Sequence, residues 1–291
     1  MRPRKPFREC SPVILPVWAG VFMGSLLLAT ACNSPEGRWD PKIFAPAVVV
    51  IERAIQDSVF PGAVLLVGQS SGEPYTRAFG SHDYSAQAVP TESDHLFDLA
   101  SLTKVMATTL AIMNLYEDGA IQLDAPVARY LPAFAQSGKG QVTVRNLLVH
   151  NSGFPPGKPF YLFTETEEEA YDSLFAMPLR YATGTATVYS DLSFITLGRL
   201  VEVITGLSLE TYVEQAFYRP LGLQHTLYEP PRQLWSGIVP TEPEFNFRLT
   251  HAQGQAKNKI TRLMNGVAGH AGLFSNVHDL AKVARMLLDS G

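Results

Sequence analysis

Apolar residues recur along this chain at two spacings, the three-to-four of helix faces and the short runs of strands. Ala47 to Asp57 is apolar with Glu52 and Arg53 side by side, which predicts a helix. The runs "PGAVLLVGQ" (61–69) and "EPYTRAFGS" (73–81) flank Ser70, Ser71 and Gly72, which predicts a β-hairpin. Leu102 to Asp118 is apolar at helical spacing and stops at Gly119. "LDAPVARYLP" (123–132) offers an Asp cap, an early proline and a short helix. "TVRNLLVHNSGFPPG" (143–157) reads as a capped helix broken by Asn, Gly and Pro, and "TETEEEAYDSLF" (164–175) as an acidic exposed one. Phe194, Leu197, Val201 and Ile204 lie on one helical face that Gly206 closes. "SLETYVEQAFYRPLG" (208–222) follows with a serine cap, and "SNVHDLAKVARMLLDSG" (275–291) begins as a capped amphipathic helix. No internal repeat or low-complexity tract interrupts this order.

One clear strand pair among many helices is an imbalance. A two-stranded hairpin is marginal alone in water and needs a larger sheet. No further strand is legible after the helices, so the pattern predicts a sheet whose last strands are missing from the chain.

The first residues change the picture of where the fold begins. Arg2, Arg4, Lys5 and Arg8 form a positive region ahead of the uncharged, mostly apolar stretch Val13 to Ala31. "LLATAC" ends in small residues before Cys32 and looks like a lipobox, which would make Cys32 the lipid-bearing N-terminus. The expected division is a lipoprotein-type signal peptide at 1–31, a Pro-rich polar tether at 32–46 and one domain at 47–291. A chain so processed sits in the cell envelope facing the periplasm. Asn33 is not the aspartate of inner-membrane retention, so the outer membrane is expected. The two cysteines are Cys10 and Cys32, so neither a disulfide nor a cysteine metal site is expected in the processed chain. The formal net charge is −4 with no basic stripe, which excludes nucleic acid as a partner.

The chemistry concentrates in "FDLASLTKVMATT" (97–109), where Lys104 is the sole charge between Asp98 and Glu117. Residues three apart on a helix share a face, so Ser101 and Lys104 stand together. A helix N-terminus and apolar neighbours favour a neutral lysine, which can take the serine proton and free an alkoxide to attack a carbonyl. The plain alternative is a capping serine and a solvent-seeking lysine. In "YSD", Tyr189 and Asp191 point the same way in an extended loop, and a tyrosine beside an ammonium can act as base and then acid. The alternative there is a core tyrosine and a helix-capping aspartate. "GVAGHAG" (266–272) is glycine-rich but lacks the Lys-Ser/Thr of a phosphate loop. His270 within it reads as a loop histidine, and His150 as structural. No cofactor or metal is called for.

Five segments in order, "FDLASLTKV" (97–105), "LLVHNSGFP" (147–155), "YSDLSFITLGRLVEVITG" (189–206), "RPLGLQHT" (219–226) and "GHAGLFSNVHDLAK" (269–282), resemble the serine β-lactamase-related hydrolases. These are class C β-lactamases, low-molecular-mass penicillin-binding DD-peptidases and related esterases. The resemblance covers residues 45 to 291 and implies an α+β fold, an antiparallel sheet packed against helices with an all-helical region inserted. It implies Ser101 as acyl-enzyme nucleophile, Lys104 as its activating partner and Tyr189 as the second acid/base group. The Ser101 backbone N–H would form half of an oxyanion hole. Asp191 stands where many relatives carry Asn, in contact with substrate and lysine; a carboxylate there stabilises a charged Lys104 and moves weight to Tyr189. The family's third motif, a Lys, His or Trp followed by a small residue and Gly on a late strand, is not identified, because "HAG" (270–272) comes too soon after Tyr189. The substrate expected is a D-Ala-D-Ala-type peptide, a β-lactam or a small ester, with peptidase or esterase favoured over dedicated β-lactamase. Two further readings are a penicillin-binding or scaffold protein without turnover, and an inactive fragment.

Overall fold

The computed structural model describes residues 39–243 and 251–289. The stretch 1–31 expected to be a signal peptide, the expected lipid site Cys32 and the start of the expected tether lie outside the described residues. Asp40 opens a 3₁₀ turn, Pro41–Phe44, by accepting from the Lys42 N–H, and this runs into α1, Ala45–Gln56. Residues 41–46, expected to belong to the tether, are therefore helical. Phe44 stacks on Tyr75 at 4.4 Å and meets Trp39 edge-on at 5.6 Å, so apolar contact rather than composition decides this stretch.

The hairpin forms as its sequence predicts. Strands β1, Gly62–Val67, and β2, Tyr75–Gly80, pair antiparallel from Gly62 opposite Gly80 to Val67 opposite Tyr75. Further strands do follow in the chain, which corrects the expectation that none would. They are β3, Phe97–Asp98; β4, Leu227–Tyr228; β5, Thr241–Pro243; β6, His251–Ala252; and β7, Leu273–Ser275. β7 sits between β3 and β4 in an antiparallel three-stranded sheet, and β5 pairs with β6. Strands of two or three residues are too short to show a period of two, and all three residues of β7 are buried, so it shows no alternation. Among the described residues the hairpin remains a separate sheet, with α1 against β2.

The helices fill the rest. A 3₁₀ turn, Ala100–Leu102, leads into a π-helical segment, Lys104–Thr109, and then α2, Leu110–Glu117. In α3, Val144–Leu148, Thr143 and Asn146 form a reciprocal capping box. Thr166 caps α4, Glu167–Ala176. α5, Asp191–Thr205, ends at Gly206, whose φ of 70° is the left-handed cap that glycine adopts without a Cβ clash. Ser208 caps α6, Leu209–Val213, which continues as a π turn, Glu214–Tyr218. α7, Lys259–Leu263, precedes β7, and Asn276 caps α8, Val277–Leu288, which packs against β1. Every residue of α5 from Leu192 to Gly198 is buried, so it is a core helix and not the one-faced element its spacing predicts. Around it pack Ala107, Ala111, Leu147, Phe154 and Leu209, in the largest apolar cluster of the described chain.

Candidate active site

The site starts from a tight turn between β3 and the Ala100–Leu102 turn. Ala100 takes a left-handed φ of 46°, uncommon for a residue with a Cβ. Asp98 holds that turn: one carboxylate oxygen accepts from Ala100 N–H at 2.8 Å and the other from Lys257 N–H at 2.9 Å. Leu99 N–H donates to Leu273 O at 2.9 Å, tying the turn to the central strand. The result puts Ser101 on the surface while Lys104, one turn later, has a side chain only 5% exposed.

Lys104 Nζ lies 3.1 Å from Ser101 Oγ, 2.7 Å from Asp191 Oδ1 and 3.0 Å from the carbonyl oxygen of His270. Three acceptors fill the three tetrahedral directions of an ammonium. In a neutral amine the same geometry gives two N–H groups to Asp191 and His270 and leaves the lone pair for the Ser101 hydroxyl. Asp191 is the first residue of α5, where a carboxylate is favoured by the helix dipole, and its N–H donates to Pro156 O at 2.9 Å. The π-helical winding loosens the main-chain ladder beside Lys104: Thr109 Oγ1 donates to Lys104 O at 2.7 Å and Tyr218 OH to Met106 O at 3.0 Å.

Tyr189 is half-exposed, and its ring centroid lies 4.9 Å from Lys104 Nζ, within reach of a cation–π contact. His150 holds the loop that carries it. The His150 ring lies 4.6 Å from that of Tyr189, its Nδ1 accepts from Ser190 N–H at 3.1 Å, and its carbonyl accepts from Val188 N–H at 2.8 Å. Burial, and then the Lys104 charge, lower the His150 pKa and keep it a neutral acceptor. The four side chains expected from sequence thus meet around one nitrogen.

His150, expected to be structural, does support the Tyr189 loop, although the sequence did not say which residues it would meet. The role of a second feature was not legible in the sequence. The loop 266–272, dismissed as a phosphate cradle, supplies a Lys104 acceptor. A Cβ on Gly269 would come within 2.1 Å of Phe194 O, so only glycine lets this loop lie against α5. Thr108 Oγ1 fixes it further by donating to Gly269 O at 2.6 Å. His270 is fully buried, and neither ring nitrogen has a hydrogen-bond partner among the described residues. Burial lowers its pKa to about 4, with the Asp191 charge opposing and the Lys104 charge reinforcing that shift.

Among the described residues, the one cluster of possible metal donors lies away from Ser101 in the chain. Glu92, Asp94 and His95 bring donor atoms within 4.8 Å of one another on the loop ahead of β3, but both carboxylates are exposed, and such groups cluster without an ion.

Comparison with known proteins places this geometry. Residues 50–291 match the Beta-lactamase family. The chain is 32% identical to the N-acetylmuramyl-L-alanine amidase of Bacillus subtilis (strain 168), over 92% of this chain and 68% of the relative. It is 34% identical to the "Putative D-alanyl-D-alanine carboxypeptidase" of Escherichia coli O157:H7, over 81% of this chain and 62% of the relative. The chain thus spans roughly two thirds of the length of the relatives it matches. Among solved structures, a class C β-lactamase from Rhodobacter sphaeroides superposes with a TM-score of 0.68 at 24% identity, covering 84% of this chain and 66% of that one. The octameric penicillin-binding protein homologue from Pyrococcus abyssi gives a TM-score of 0.68 at 23% identity, covering 87% and 57%. These likenesses fix an α+β fold of the β-lactamase and penicillin-binding type. Since the matched span takes in the Ser101 turn, the Tyr189 loop and the loop that closes on Lys104, the chain belongs to the β-lactamase family.

Proposed function

We propose that this chain is the acylating part of a cell-envelope serine hydrolase that acts on an amide or ester. The observation that carries the reading is the position of Lys104 Nζ, buried and aimed at the exposed Ser101 Oγ at 3.1 Å by two other acceptors. Ser101 Oγ attacks the carbonyl carbon while its proton passes to the Lys104 lone pair. The oxyanion that forms is held by the Ser101 N–H, which lies in a first helical turn where amides lack intrahelical partners. Breaking the C–N or C–O bond requires a proton on the leaving atom. Tyr189 gives it from its hydroxyl and regains one from Lys104, over whose Nζ its ring lies. Water then cleaves the Ser101 ester by the same relay in reverse.

The substrate class we favour is a D-Ala-D-Ala-type peptide, with β-lactams or small esters reaching the same acyl-enzyme. The names of the amidase and carboxypeptidase relatives support it. The reading extends to location: the basic-then-apolar start of the chain would anchor it by lipid at Cys32, facing the periplasm, in the outer membrane. A second reading, capture of penicillin without turnover, is favoured by the carboxylate of Asp191 at 2.7 Å, which stabilises the ammonium form of Lys104.

The test is the intact mass of the chain from Asn33 onward after exposure to a fluorophosphonate or a penicillin, beside Ser101→Ala. One adduct on the wild type and none on the variant supports the acylating site. A penicillin adduct that decays over minutes indicates turnover, and one that persists indicates capture. A folded wild-type chain that takes no adduct sinks both readings.

A further inference from the structure

Two histidines that the mechanism does not use touch on the segment leading from β2 to β3. His82 Nε2 and His95 Nδ1 lie 2.8 Å apart, and their rings meet edge to face at a centroid distance of 4.6 Å. His95 Nδ1 also accepts from Glu92 N–H at 3.1 Å, so it carries a lone pair and His82 Nε2 carries the hydrogen. His82 is buried, and His95 is half-buried. The chain between them folds back on itself: Ser81 bridges Pro90, His82 N–H donates to Val89 O at 2.8 Å and Thr91 N–H to Gly80 O at 3.0 Å. The contact therefore closes a clasp between the end of β2 and the start of β3. Asp94 O accepts from Asn276 Nδ2, the cap of α8, at 3.3 Å, and Leu96 N–H donates to Gly237 O at 2.9 Å. Leu96 alone separates His95 from β3, and Asp98 at the end of β3 holds the left-handed Ala100 turn that puts Ser101 on the surface.

We propose that the His82–His95 clasp is a proton-operated positioning device for the Ser101 turn, closed while His95 keeps its lone pair and open when both imidazoles are charged, so that acylation of Ser101 slows on acidification. The neutral pair sets one N–H against one lone pair. A proton on His82 Nδ1 leaves the shared hydrogen in place. A proton on His95 has only Nδ1 to bind, because Nε2 already holds one. With both rings charged, N–H faces N–H, two cations abut, and Glu92 N–H loses its acceptor. The charged groups beside the pair are Asp83, next to His82, and Glu92 and Asp94 on the turn that carries His95, while Asn276 of α8 and Gly237 bring no charge. Burial first, and then His95, lower the His82 pKa, and Asp83 opposes them. Below 6.5 the unfolded chain thus binds protons that the folded chain does not, so the contribution of His82 to stability is complete above that value and is lost as the pH falls.

The effect on acylation rests on the acylating reading, whereas the clasp itself does not. Wild type is compared with His95→Gln, whose amide oxygen can accept from His82 and from Glu92 N–H and takes no proton. Fluorophosphonate labelling of Ser101, hydrogen exchange of the Thr91, Leu96 and Ala100 amides corrected for intrinsic rates, and NMR titration of the imidazoles are followed from about pH 8 to about pH 5. The two proteins should label alike at the upper end, and the wild type should fall behind the variant by about tenfold or more at the lower end. Amide protection should be lost there in the wild type and kept in the variant. The His82 titration should move to higher pH in the variant, because the opposing His95 charge is gone. Parallel labelling profiles overturn the proposal, as does a clasp that opens without slowing the label. If the wild type takes no label at any pH, the hydrolase reading fails, and the Ala100 amide decides for the clasp: acid-dependent exchange in the wild type alone supports it, and equal exchange overturns it. If the variant does not fold, the wild type decides by itself. Protection lost at Thr91 and Leu96 once both imidazoles are protonated supports the clasp, and protection that persists there overturns it.

Discussion

At the scale of single residues, two lysines show how burial and partners set the work of an amine. Lys104 has a carboxylate, a carbonyl and a hydroxyl around its nitrogen. Lys139 is fully buried with no carboxylate bonded to it among the described residues, and its Nζ donates to Phe175 O at 2.8 Å and Met177 O at 2.7 Å, at the C-terminal end of α4. Those two carbonyls suit the two N–H groups of a neutral amine, and burial lowers the Lys139 pKa from 10.5 to about 8. Between those values the unfolded chain binds more protons than the folded one, so this group makes stability rise with pH across the window. The buried Tyr218 and Tyr228, with hydroxyl pKa values raised by desolvation, act in the opposite direction only above about 10. Urea unfolding of wild type and Lys139→Met, followed from pH 8 to 10, should show the rise in the wild type and a flatter profile in the variant. Parallel profiles would refute the assignment.

At the scale of elements, the site depends on how closely a loop approaches a helix. The 266–272 loop reaches Lys104 because Gly269 and Gly198 let two backbones meet with no side chain between them. Gly269→Ala places a Cβ 2.1 Å from the Phe194 carbonyl oxygen, in backbone that cannot rotate away. The loop must shift, at a cost of about 2–3 kcal/mol by analogy with overpacked cores. Labelling of Ser101 should fall about tenfold or more, because the carbonyl acceptor of Lys104 moves with the loop. Denaturant unfolding and labelling rate together check this, and unchanged values for both would show that the loop yields freely. The helices themselves were readable: Thr143, Thr166, Ser208 and Asn276 each accept a hydrogen bond from a first-turn amide. The start of the Leu102–Asp118 helix was not readable as a π turn, because that winding is held by Thr109 Oγ1 on Lys104 O and by Tyr218 from a distant segment.

At the scale of the molecule, burial is uneven. α5 runs through the interior with Leu192, Ile195, Leu197, Leu200 and Val201 fully buried, whereas every residue of β1 is only half-buried. Local opening follows that gradient. Hydrogen exchange should therefore be slower in the amides of α5 than in those of the β1–β2 hairpin by about tenfold or more. Equal protection would mean that the hairpin unfolds only with the core. The uneven burial also bears on where chemistry sits: Asp191 and Lys104 are fixed on the rigid side, and Ser101 faces solvent from a strained turn.

The sequence by itself determined whatever depends on neighbours along the chain. Ser101 and Lys104 share a face because three residues make most of a helical turn, and the caps and the hairpin follow from short-range hydrogen bonding and alternation. The order of five segments carried the family. Tertiary structure alone decided the rest. Asp191 lies 87 residues from Lys104 and His270 lies 166 away, and no local preference states which acceptors a buried lysine meets. Strands of two or three residues exist only because a neighbour supplies their hydrogen bonds, so β3, β4 and β7 left no period to read. His270 looked like a loop residue because glycines surround it. Packed against α5, those glycines bring its carbonyl to the lysine and bury its ring, because backbones can touch only where no Cβ stands between them.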